Sequence, residues 1–341
     1  MPQRQNILLF LLVLSVPMLF VLSLFVGSVS IPFDDVLGAL CGDEDVKETW
    51  RYIVIESRLP QSLTAMLCGM SLAVCGLLLQ TVFRNPLAEP SILGMSGGAG
   101  VGVACVLMLM GGSLSASLFT IGGFVAIVFA AFAGAMIVTL LLLGMSLLVR
   151  SNSMLLIAGI MIGYLTSSFI TLSYYVATEE GVRLYTLWGM GTFAGVAMKH
   201  IPAFAFMLLV PLAAAFSFVK PLNALSLGDG YAKSLGVNVR RTRALLLVIV
   251  GLLTAVTTAF CGPVAFIGLA VPHLVRLLFG VSNHRMLLPL SGVMGAVVAL
   301  LCHVCCMMPS GGSQLPINAV TPLIGAPVVI YVILKQKQIH T

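Results

Sequence analysis

Ten apolar stretches divide the chain, at residues 7–27, 61–82, 91–111, 118–148, 153–176, 201–219, 244–261, 263–280, 287–307 and 318–334. Nine contain no Asp, Glu, Lys or Arg, and the eighth contains only Arg276 near its end. An α-helix needs about 20 apolar residues to cross the hydrocarbon core of a bilayer, so the pattern predicts an all-α integral membrane protein of about ten transmembrane helices. Turn chemistry marks several borders. Arg84-Asn85-Pro86 stops the second stretch and Pro90 opens the third, while Gly262-Pro263 is the only break between the seventh and eighth.

Two polar segments stand out between these runs. In Ser28–Pro60, acids alternate with Trp50, Arg51 and Arg58, and Ile53, Val54 and Ile55 with their aromatic neighbours predict a small structure at headgroup level. In Lys220–Arg243, KPLNALSLGDGYAKSLGVNVRRTR, five basic residues accompany the single acid Asp229. Leu222 with Leu225, then Tyr231 and Ala232 with Leu235, fall at helical spacing on either side of Gly228-Asp229-Gly230. Two short helices meeting at a bend are expected, with Asp229 as N-cap of the second and Gly236 closing it in the left-handed conformation. Each is too short to be stable alone in water, so the segment needs a surface to pack on. The plainer alternative is a cationic loop at the cytoplasmic face.

Composition agrees with the pattern. Hydrophobic residues make up 60% of the chain and charged residues 8%, whereas soluble domains carry about a quarter charged residues. With an even number of spans both ends lie on one side, and charge says which. Twelve basic residues and two acids fall in the segments of that side, against five basic residues and nine acids on the other. By the positive-inside rule both termini are cytoplasmic, and the net charge of +6 reflects orientation rather than nucleic-acid binding. The first stretch follows Arg4 and has no small-residue cleavage site, so it is expected to remain as a span.

Several polar or small residues inside the spans carry candidate chemistry. Gly94, Gly97, Gly98, Gly100 and Gly102 would leave one helix face nearly bare, suited to close helix contact. They lack the preceding strand and following Lys of a phosphate loop. Gln80 reads as interhelical glue, and His273, beside the kink expected at Pro272, as a structural hydrogen-bond donor. The fifth stretch holds Thr166, Ser167, Ser168, Thr171, Ser173, Tyr174 and Tyr175, the densest polar stripe of any span. A water-lined pathway accounts for it, and helix-to-helix hydrogen bonding is the alternative. Cys68, Cys75 and Cys105 read as packing residues. Cys302, His303, Cys305, Cys306, Met307 and Met308 could form a set of soft metal ligands, but they sit on one helix without a second ligand pair and read as packing too.

Motifs along nearly the whole chain resemble the permease subunits of ATP-binding-cassette (ABC) importers for iron-siderophores, haem and vitamin B12, the FecCD type. They are the RLP at Arg58, RNPLAEPSILGMSGGAG from Arg84, LWGMGTF around Trp188, LNALSLGDGYAKSLGV from Leu222 to Val237, GPVAFIGLAVPHLVRLLFG from Gly262 to Gly280, and the LP…TPLIGAP ending at Pro327. The resemblance implies one transmembrane permease domain over 1–341 in the bacterial inner membrane. It further implies a homodimer with the pathway between copies, two cytoplasmic ATPase subunits, and a periplasmic or lipid-anchored substrate-binding protein. No cofactor would be bound by this chain, since ATP and Mg belong to the ATPase. Leu222, Leu225, Gly228, Asp229, Ala232, Leu235 and Gly236 would form the ATPase-coupling element, Arg58 an outer docking contact, and Ser167, Ser168, Thr171 and Tyr174 the pathway. An iron chelate is the first expected cargo and cobalamin the alternative.

Departures from the family pattern cluster late in the chain. His303, Met307 and Gln314 stand where an Asp, an Arg and a Glu are usual, and Gln61 stands where an Arg is usual. Two other classes lack support in the residues. A secondary transporter would need a coupling acid inside a span, and a membrane enzyme would need a catalytic motif such as HExxH or GxSxG.

Overall fold

The computed structural model describes residues 3–43, 45–109, 121–149, 151–308 and 314–339. Each of the ten apolar stretches contributes a helix among the described residues, though not over its whole length. Seven helices among the described residues are long and apolar enough to cross a membrane, and Met95–Met108, Ile267–Phe279 and Ile317–Tyr331 are shorter apolar helices. We label the elements used below α1 (Gln3–Phe25), α2 (Phe33–Cys41), α3 (Glu48–Phe83), α4 (Met95–Ala104), α5 (Ile121–Leu148), α6 (Asn152–Val176), α7 (Glu179–Gly189), α8 (Ile201–Phe216), α9 (Val219–Ser226), α10 (Asp229–Ser234), α11 (Val239–Cys261), α12 (Ile267–Phe279), α13 (His284–Met307) and α14 (Ile317–Ile339).

The hub is α3. At 36 residues it would be about 54 Å long if straight, and it begins well before the predicted stretch, running through a π-helical turn at Ile53–Arg58. Its inner two thirds carry no charge and are rich in Gly, Ala, Ser and Cys, so α8, α11, α12 and α13 can surround it on all sides. The contact is at backbone distance. A Cβ placed on Gly76 would fall 1.8 Å from the Gly268 carbonyl oxygen of α12. The predicted bare face of α4 is used likewise, since a Cβ at Gly102 would lie 2.0 Å from Ala130 O of α5.

The first outer segment folds into a cap. Val36 and Ala39 of α2 pack with Leu24, Ile31 and Val54, all buried, beneath Trp50 and Phe20. The headgroup-level structure expected there therefore has a small core of its own.

The break in the eighth span lies elsewhere than predicted. Pro272 sits inside a continuous α12, whereas Gly262–Phe266 is non-helical, with Gly262 at φ 72° and Phe266 at φ 69°. A proline removes the amide that would bond the carbonyl four residues earlier, here that of Gly268. Gln80 Nε2 of α3 approaches the Gly268 and Leu269 carbonyl oxygens at 3.4 and 3.3 Å. The helix stays whole because a neighbour supplies the missing donor. Gly262-Pro263 is a real interruption, so the seventh and eighth stretches are separate elements.

Candidate functional site

The segment α9–α10 has the expected bend, at Gly228 with φ 117°. Its far end closes in a Schellman motif, where Val237 N bonds Ala232 O at 3.0 Å, Gly236 N bonds Lys233 O at 2.9 Å, and Gly236 is left-handed at φ 79°. Asp229 has a different role from the predicted one. It is the first helical residue rather than the N-cap and makes no capping bond; its carboxylate pairs with Arg243 of α11 at 3.0 Å.

The two faces of this segment are occupied differently. Leu222, Leu225 and Ala232, all in the expected coupling element, are buried against the body of the chain. The surface instead shows Leu227 (66% exposed), Tyr231 (53%) and Leu235 (59%), with Lys220 and Lys233. Of the leucines and alanine of that expected element only Leu235 points outward. The 227/231/235 spacing of four was available in the sequence, but which apolar face turns inward depends on what the body offers it.

Polar contacts make the segment a rigid extension of the spans. Asn223 Oδ1 accepts from the His284 backbone amide at 2.8 Å and from His284 Nδ1 at 2.9 Å, while Asn223 Nδ2 donates to Asn283 Oδ1 at 2.9 Å. On its other side His284 Nε2 lies 2.8 Å from the Thr81 hydroxyl of α3. The hub, α13 and α9 are thus joined through one imidazole. Asn223 falls within the quoted Leu222–Val237 motif, but nothing local marked these contacts, because the partners lie 60 to 203 positions apart.

The loop before α4 is anchored as well. His273 Nε2 donates to Pro86 O at 2.9 Å, the structural role expected of it. Glu89, assigned to an inner loop by charge counting, is only 6% exposed. Burial raises its pKa above the usual carboxylate range, against the opposing pull of the Ser91 hydroxyl and the Leu269 and Phe266 backbone amides. The Ser91 hydroxyl donates to that carboxylate within the loop.

The polar stripe lies on α6, which divides into three arcs. At about 100° per residue, Tyr164, Ser168, Thr171 and Tyr175 fall within about 60° of one another, with Ser167 and Tyr174 at one edge. All six are exposed. A second arc of Leu165, Phe169, Leu172 and Val176 is exposed and apolar. The third arc packs on α4: Gly163 faces Gly94, Thr166 meets Gly97, and Ser173 is buried with its hydroxyl on Phe169 O at 2.9 Å. Thr166 and Ser173 therefore leave the candidate pathway. A short amphipathic helix, α7, closes the outer end, with Thr178 capping it through Gly181 N at 3.2 Å and Tyr185 meeting Tyr174 edge-on at 5.9 Å.

Arg58 is not on the outer surface. It is 4% exposed, and its guanidinium donates to the Leu24, Phe25 and Val29 carbonyl oxygens, all beyond or within the last turn of α1. A cation there satisfies the free carbonyls at a helix C-terminus. It has no reach to a docking protein. The departures at Gln61, His303, Met307 and Gln314 converge on one small outer cleft, where Cys306 also lies and His303 meets the Phe193 ring at 5.9 Å. Cys302 is buried and Cys305 half-buried. Among the described residues no group of three His, Cys, Asp or Glu is arranged to hold a metal ion. Next to it a cleft of about 460 Å³ is lined by Glu56, Ser57, Gln61, Phe124, Lys199 and His200 with residues 194–197, and Lys199 is its exposed cation.

Residues 11–335 match the FecCD transport family. The chain belongs to that family. It is 38% identical over 286 residues to the vitamin B12 import system permease protein BtuC of Citrobacter koseri, covering 84% of each chain. It is 38% identical over 283 residues to the BtuC of Salmonella typhimurium, covering 83% of each. A solved structure assigned to the metal-chelate type of ABC transporter, in an inward-facing conformation, superposes with a TM-score of 0.83 at 29% identity, covering 97% of this chain and 99% of that one. As a FecCD permease the chain is a multi-pass inner-membrane component of a transport system, all-helical, with seven spanning-length and three shorter apolar helices among the described residues.

Proposed function

We propose that this permease moves an iron chelate, a siderophore complex or haem, inward across the cytoplasmic membrane on energy from ATP hydrolysed by partner subunits. The observation that carries the reading is the exposed polar arc of α6. Six hydroxyl-bearing side chains gathered on one exposed arc favour contact with water or another protein over lipid. A second copy placed against it would enclose a polar route between two chains, with Ser167, Ser168, Thr171 and Tyr174 along the wall. The adjoining apolar arc suits lipid.

Two ATPase subunits, which hold ATP and Mg, would seat on the exposed Leu227–Tyr231–Leu235 face. Closure of an ATPase can bias the spans only through contacts that differ between states, and the Asn223–His284 and Asp229–Arg243 contacts transmit it. A periplasmic or lipid-anchored binding protein would deliver cargo to the outer clefts. This chain would contribute no cofactor and no catalytic centre.

Cobalamin is the second reading, favoured by the 38% identity to BtuC proteins. Uptake by a deletion strain complemented with this chain, using radiolabelled ferric siderophore, haem and cyanocobalamin in parallel, separates the two. Iron-chelate uptake that requires the chain supports the first reading, and uptake of cyanocobalamin alone replaces it with the second.

A further inference from the structure

Arg84 closes α3 in a conformation that arginine avoids. Its φ of 49° and ψ of 38° are left-handed. Asn85 N bonds Gln80 O at 3.2 Å and Arg84 N bonds Thr81 O at 3.3 Å, the Schellman closure in which glycine is the usual residue at this place. A side chain held there against its backbone preference points to a use for the side chain. It lies along the bend of the coupling segment, where a Cβ added to Gly228 would stand 3.7 Å from Arg84 Nη1.

That side chain opens on a cleft of about 500 Å³ beneath the bend, which Arg276, Ser226, Ser282 and Leu227 also line and to which no Asp or Glu contributes. Arg276 donates to the neutral Gln80 Oε1 at 2.9 Å. The described inner-face acids are spent elsewhere, Asp229 on Arg243 and Glu89 in its buried loop. Two guanidinium groups thus share one cleft with serine hydroxyls and no carboxylate between them. Guanidinium forks favour carboxylate and phosphate oxygens. Leu227 belongs both to this cleft and to the exposed coupling face, so a protein seated on that face brings its own side chains to the cleft mouth.

We propose that the Arg84–Arg276 cleft is an anion receptor for an acidic side chain of the ATPase subunit, a charged latch beside the apolar coupling contact. The proposal rests on the reading of α9–α10 as the ATPase seat. Its test exploits the backbone of residue 84, because glycine fits the left-handed position better than arginine does. Full-length permease carrying Arg84→Gly, Arg84→Lys or no change is reconstituted in nanodiscs, and binding of its cognate ATPase is measured across a salt series.

The expected result is an Arg84→Gly protein with an unchanged or higher melting temperature that binds the ATPase at least tenfold more weakly at low salt. The difference should shrink as salt rises, and Arg84→Lys should recover part of the loss. An Arg84→Gly permease that binds as tightly as the unaltered chain overturns the latch and leaves the seat intact. Unaltered permease that binds no ATPase overturns the seat itself. Loss of affinity for inorganic pyrophosphate on Arg84→Gly, with ATPase binding unchanged, would reassign the cleft to a free phosphate and also overturn the proposal.

Discussion

Helices α3 and α6 are about equally apolar, yet 83% of the most apolar window of α3 is buried inside the molecule against 17% for α6. The difference lies in where small and polar residues fall. In both helices hydroxyls turn back on their own carbonyls, Ser71 to Leu67 O at 2.8 Å in α3 and Thr171 to Ser167 O at 3.0 Å in α6, so it is their placement that differs. Glycines of α3 admit neighbouring backbones, so that helix is packed on every side. In α6 the hydroxyls gather on one arc and the small residues on another, so one side packs and the other two are left exposed. Mean hydropathy finds both helices and distinguishes neither.

Substitutions can break this contrast from either end. The largest effect is expected in the hub. Gly76→Val places atoms where the Gly268 backbone stands, and because backbone cannot yield as a side chain can, the cost should exceed about 3 kcal/mol. Little monodisperse protein should be recovered in detergent, whereas Ser168→Ala on α6 should leave recovery unchanged. Equal recovery of the two variants would remove the distinction.

Next comes the cation at the outer end of α3. Arg58→Ala leaves the last carbonyls of α1 unpaired, an expected loss of about 3 kcal/mol, read as a lowered melting temperature with or without a binding protein. A fall in binding-protein affinity at unchanged melting temperature would restore the docking role that burial denies it.

At the cytoplasmic foot, burial of Leu235 in a partner groove is worth about 2 kcal/mol, more than tenfold in affinity. Leu235→Asp should therefore release the ATPase while the permease stays inserted, as judged by subunit stoichiometry after purification together with cargo uptake. A mutant retaining both would end the coupling role. The smallest effect is expected at the outer rim, where Lys199→Glu should weaken binding-protein association by less than about tenfold and lose its effect at high salt. Salt-independent weakening would point to a structural fault instead.

Much of this was readable from local pattern. The apolar helices, the bend at Gly228, the closure at Gly236 and the bare face of α4 all follow from residues within a few positions of one another. What could not be read depended on partners far along the chain. Pro272 breaks helices in general, and here Gln80 of another span reaches the carbonyl it frees while the helix runs on. Arg58 matches a family motif at the outer face, but its reach back to Leu24 and Val29 puts it inside. Asp229 has the chemistry of an N-cap, and an arginine fourteen residues later takes it instead. The face of α9–α10 that turns outward is likewise decided by the body beneath it. These misreadings share a cause. Local propensity proposes a role for a polar or amphipathic residue, and tertiary contact assigns it.

The account stands most directly on the arcs of α6. Single cysteines placed along Met154–Val176, with the exposed Cys41 replaced by serine, can be probed with a membrane-impermeant thiol reagent in the ATP-free and ATP-bound complex. The account predicts labelling at Ser168 and Thr171 in at least one nucleotide state and none at Leu165 or Leu172 in either. Labelling that is absent from the polar arc in every state, or equal on the two arcs, would contradict a water-lined route along this helix.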